Sequence, residues 1–81
     1  MQTTDTLTLA SLPEGESAHV LSLKSSGAMR RRLMDIGLIE GTVVTCLKRA
    51  PSGDPAAYLI RGAVIAIRSR DAAEVILSKL R

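Results

Sequence analysis

The sequence predicts a mainly β fold: a small β-barrel of about five strands, with a short helical insertion after the first strand and one helical turn before the last. Three observations predict it. Short runs rich in Val, Ile, Leu and Thr recur at residues 17–24, 42–49, 57–60, 63–68 and 75–80, separated by Gly, Pro, Ser and Asp. One stretch carries the helical spacing i, i+4, i+7, at Met29, Leu33 and Ile36. The chain has 81 residues, enough for one small core and one domain.

Residues 1–6 are polar and are expected to form a tail, leaving 7–81 as the domain. Leu9 and Leu12 are the first anchors, and Pro13-Glu14-Gly15 reads as a turn. In the first strand His19, Leu21 and Leu23 point one way and Ala18, Val20 and Ser22 the other. Ser25 and Ser26 offer an N-cap for the helix, and Gly37 suits its left-handed stop. Arg30, Arg31 and Arg32 are then expected in the first helical turn, where the positive end of the dipole opposes them. Leu38 and Ile39 come next with no helix left to bury them, and Glu40-Gly41 turns into the second strand.

In that strand Val43, Thr45 and Leu47 share one face and Val44, Cys46 and Lys48 the other. Neither face is purely polar or apolar, as in a curled sheet. Residues 50–55 form a Pro/Gly/Ser loop. Arg61-Gly62 is short enough for a tight hairpin between the third and fourth strands. The fourth strand places Ala63, Ile65 and Ile67 on one face. Asp71 and Glu74 have capping-box spacing, predicting one helical turn before the fifth strand.

Composition limits the chemistry. Eleven Lys and Arg face eight Asp and Glu, a net charge of +3, with a pI near 9.6. That balance suits nucleic acid or an acidic partner and selects neither. Tyr58 is the single aromatic residue, so an aliphatic core is expected and base stacking has little support. The longest purely aliphatic run, 63–67, is far short of a membrane span, and the first residues lack the pattern of a signal peptide. One cysteine excludes an internal disulfide and favours a reducing compartment. A lone His19 and a lone Cys46 make neither a catalytic pair nor a transition-metal site. No phosphate-binding glycine motif is present. The expectation is an interaction module, not an enzyme, with no cofactor and no metal ligands. Its candidate contact residues are Arg30, Arg31, Arg32, Leu38 and Ile39: an aliphatic spot with a charged rim.

One longer pattern joins these residues: Leu9-x-x-Leu12-Pro13-x-Gly15-Glu16, Val20, then Arg31-Arg32-Leu33-x-Asp35-Ile36-Gly37-Leu38-x-x-Gly41-Thr42-x-Val44. Pro51-x-Gly53-Asp54-Pro55, Arg61-Gly62, Ala66-x-Arg68, Asp71-Ala72 and Ile76 continue it. The series resembles the FeoA family. The resemblance implies an SH3-like barrel and a cytoplasmic accessory of ferrous iron uptake. It implies a partner, the membrane iron permease FeoB with its GTPase domain, through which alone the chain would meet a membrane. A related module sits behind a DNA-binding domain in some metal-dependent repressors, for which this chain has no room. The family supplies no catalytic residues to carry over. The alternative is a basic small barrel that binds nucleic acid or ribosomes. A third reading, an Fe²⁺ carrier, needs several copies, and exposed strand edges leave room for weak self-association.

Overall fold

The computed structural model describes residues 7–79. The chain runs through a 3-10 turn at Leu9–Ser11, β1 (Ser17–Leu23), α1 (Gly27–Asp35), β2 (Val43–Arg49), β3 (Ala56–Ile60), β4 (Ala63–Ile67), α2 (Ser69–Ala72) and β5 (Val75–Lys79). The strands form one antiparallel sheet in the order β4-β3-β2-β1-β5. The helical insertion after β1 and the turn before β5 stand where the sequence predicts them. The expected tail, 1–6, and Leu80, expected to end the last strand, lie outside the described residues.

Two bulges curl the sheet. In β1 the pairing with β5 shifts between Val20 and Ser22. Val20 and Leu23 therefore both turn inward, while Leu21 is left half-exposed. This corrects the simple alternation that placed Leu23 with Leu21. In β2 the register against β3 shifts between Cys46 and Lys48. The extra residue, Leu47, points out, and Arg49 arrives opposite the buried Ala56. Arg49 then ties the chain start to the sheet. Its Nη2 donates to the carbonyls of Ala10 and Leu12, each at 2.8 Å, and its backbone N–H donates to Glu14 Oε2 at 2.7 Å.

The 3-10 turn was not foreseen. Thr8 and Ser11 cap each other reciprocally, each side chain accepting from the other's backbone N–H. That presses Leu9 and Leu12 into the core, as anchors. The core is also not purely aliphatic. Tyr58 is the largest fully buried side chain, and its hydroxyl donates to Leu9 O at 3.1 Å. A buried phenol needs such a partner, and the 3-10 turn supplies it.

The two sheet edges differ. Beside β5, Thr8 bridges Ile76, and the Leu77 N–H donates to Leu7 O at 2.8 Å. Among the described residues no strand lies beyond β4. The helical turn α2 begins two residues before Asp71. Asp71 is thus its third residue and not its cap, and the extended residue before the turn is Arg68.

Candidate interaction surface

The site is built on the end of α1. Ser26 stands at the N-cap in extended conformation, although its hydroxyl makes no capping bond. The helix starts at Gly27, so Arg30 closes its first turn and Arg31 and Arg32 lie beyond it. The expected conflict with the dipole is confined to Arg30, and Arg32 sits where the carbonyl end favours a cation. Arg30 reaches back through Nη1 to Leu23 O at 3.3 Å. All three arginines are exposed, and with Met34 and Asp35 they line an open concavity along the helix.

The helix ends in a Schellman motif. The Gly37 N–H donates to Met34 O and the Leu38 N–H to Leu33 O, both at 3.0 Å. The motif pairs the residue two past the helix cap with one in the last turn. Leu38 is therefore driven onto Leu33, and both are core residues. This corrects the candidate list: Leu38 is fully buried and has no surface to offer a partner. Ile39 remains, 41% exposed.

Gly37 has φ +107°, and a Cβ there would lie 2.6 Å from Arg61 Cδ. The stem of Arg61 thus lies across the bare glycine. Arg61 itself has φ +53° and Gly62 +84°, the left-handed pair of a two-residue hairpin of type I′. The β3–β4 hairpin in this way delivers a further guanidinium to the end of α1. Arg61 and Met34 were missed as candidates in the sequence; the arginine was visible there only as half of a turn.

The other sequence candidates separate. Cys46 is inside the core, whereas His19 is half-buried in β1 opposite Val43 and Ser78, both on the outward side. Among the described residues no group of three or more His, Cys, Asp or Glu gathers to hold a metal. No described helix is long and apolar enough to cross a membrane. With Tyr58 buried, no Phe, Tyr or Trp ring faces solvent for a base to stack on.

Burial raises the Cys46 thiol above its ordinary 9.0, with Arg49 opposing the rise and Glu14 adding to it. Burial likewise raises the Tyr58 phenol above 10.0, against the pull of Arg49. Both groups keep their protons longer folded than unfolded, so their stabilising effect is whole below the unfolded values. It is lost as pH climbs through the raised ones. We expect Tm to fall above about pH 9 from these groups, and Cys46→Ala to flatten the first part of that fall. Cys46 should also resist thiol reagents until the protein unfolds.

The model of the FeoA domain matches residues 7–79. The chain belongs to the FeoA family. A curated relative from Porphyromonas gingivalis, an Fe(2+) transport protein A/Fe(2+) transporter FeoB fusion protein, is 30% identical over 67 residues. That match covers 83% of this chain and only 8% of the relative. The solution NMR structure of the FeoA protein of Chlorobium tepidum is 35% identical, with a TM-score of 0.86 over 93% of this chain and 71% of that one. The crystal structure of Stenotrophomonas maltophilia FeoA complexed with zinc, described as a prokaryotic SH3 domain protein, is 29% identical. Its TM-score is 0.80 over 89% of each chain. The FeoA domain here accordingly has the SH3-like fold.

Proposed function

We propose that this FeoA domain is a cytoplasmic accessory of ferrous iron uptake that binds a FeoB-type ferrous iron permease and modulates its GTPase-linked transport. The observation that carries this reading is the Porphyromonas relative, in which an FeoA-like part and a FeoB transporter share one polypeptide. Two partners joined covalently work at high effective concentration. The Stenotrophomonas protein has been described as a candidate ferrous iron transport activating factor, which agrees in direction. The contact surface we assign is the end of α1: Arg31 and Arg32, the half-exposed Met34 and Ile39, and Arg61 from the neighbouring hairpin. An aliphatic centre with a guanidinium rim is a common interface composition. Arg30, bonded to Leu23 O, serves the fold as well.

The test is binding to a purified FeoB-type permease in detergent, with the wild type and with the Arg31→Ala/Arg32→Ala double variant. The wild type should bind and change GTP hydrolysis. The variant, folded by circular dichroism, should bind at least about ten-fold more weakly. A folded wild type that neither binds nor alters hydrolysis ends the transporter reading. Undiminished binding by the variant moves the contact elsewhere.

A further inference from the structure

The open edge of β4 faces a groove that borders the transporter surface at Arg32 and is otherwise outside it. The groove, of about 320 Å³, runs between α1 and β4. Met29, Ile36 and Ile65 give it an apolar floor, and Arg32, Arg68 and Asp71 stand around it. The hairpin fixes which backbone groups reach that edge. A two-residue loop makes Ile60 and Ala63 a hydrogen-bonded pair, and such pairs alternate along an antiparallel ladder. Ile65 and Ile67 therefore bond to β3, while Val64 and Ala66 turn their N–H and C=O groups to the free side. Among the described residues, neither of them enters a turn, loop or cap hydrogen bond. The opposite edge of the sheet, by contrast, is covered in part by Leu7 and Thr8.

We propose that β4 is a docking edge: an extended segment of a partner protein, acidic at its ends and apolar at alternate positions, adds beside β4 as a sixth strand and lies in the groove against α1. Charge selects this occupant. The strand Ala63–Ile67 carries no charge of its own, but Arg61 precedes it and Arg68 comes directly after it. Arg32 joins them from the helix, against the single carboxylate of Asp71. A second copy pairing antiparallel about Ile65 would bring Arg68 of each chain towards Arg61 of the other, two like-charge contacts that disfavour self-pairing. Glutamates flanking an incoming strand would meet the same arginines favourably. The backbone supplies affinity and the groove selects alternate side chains, as in other strand additions between an edge and a helix. The proposal does not rest on the FeoB assignment, although Arg32 and Arg61 border both surfaces.

The experiment is an NMR titration of the full chain with a short synthetic peptide, Val-Thr-Val-Thr-Val between paired glutamates, and with its counterpart carrying lysines for glutamates. Only the acidic peptide should bind. It should slow amide exchange at Val64 and Ala66, shift Met29 and Ile36, and weaken as salt rises. Val64→Pro removes an outward N–H without touching the β3 ladder and should abolish binding in a protein whose dispersion shows it folded. Arg32→Glu/Arg68→Glu should weaken binding at least about ten-fold. Failure of the acidic peptide to bind overturns the proposal. So do equal binding of both peptides, binding that survives Val64→Pro, or concentration-dependent protection of the same amides without peptide, which would make the occupant a second copy.

Discussion

Tyr58→Ala is expected to cost about 3–5 kcal/mol, the range for emptying a buried aromatic site. The ring is fully buried in β3 among Leu9, Cys46 and their neighbours, with nothing aromatic elsewhere to fill the space. Small domains hold roughly 5–15 kcal/mol in all, so urea unfolding should show the variant near the limit of folding. Tyr58→Phe separates packing from hydrogen bonding. It keeps the ring and removes only the hydroxyl donated to Leu9 O, an expected loss of about 1 kcal/mol. A small cost for the alanine variant would mean that the ring is not the centre of the core. Equal costs for the two would place the whole effect in the hydroxyl.

Leu38→Ala is the second large effect, about 2–5 kcal/mol, because the side chain is fully buried against Leu33 at the end of α1. Its neighbour makes the control. Ile39→Ala, at 41% exposure, should change stability by no more than about 0.5–1 kcal/mol and weaken permease binding instead. Denaturation midpoints and binding measured on the same two preparations give the comparison. Reversed results would place the leucine at the surface and the isoleucine inside, against the Schellman geometry.

The contrast between these neighbours shows what local sequence could and could not convey. Gly37 announced the helix stop, Arg61-Gly62 the hairpin and Pro13-Glu14-Gly15 the first turn, because turn chemistry acts over three or four residues. The choice between Leu38 and Ile39 needed the hydrogen-bond pattern of the stop, and Leu38 was misplaced without it. The bulges at Leu21 and Leu47 leave no mark in the composition of their strands, yet each reverses the facing of the residues beyond it. The start of α1 at Gly27 was hidden by a glycine that ordinarily disfavours helix, and that earlier start relieves the apparent strain on Arg31 and Arg32. Arg49 and Arg61 owe their places to contacts distant in the chain, so charge counting could register them only as net basicity. Tyr58 likewise finds its partner, Leu9, far back along the chain. No local pattern could show that the one aromatic ring belongs to the interior.

The arginine lying over Gly37 makes the shape of this surface depend on an atom that is missing. A methyl group at position 37 would meet Arg61 Cδ at 2.6 Å and Ile60 Cγ2 at 3.2 Å, so the Arg61 stem would have to swing off the helix end. Positions 37 and 61 are thus coupled in space. Beneath a long side chain at position 61, a bare residue at 37 leaves the stem room to lie flat. Where the hairpin carries something shorter, the spatial demand on position 37 lapses and only its left-handed backbone still asks for glycine. Drift at either position would redraw the charged outline without changing a single arginine of α1.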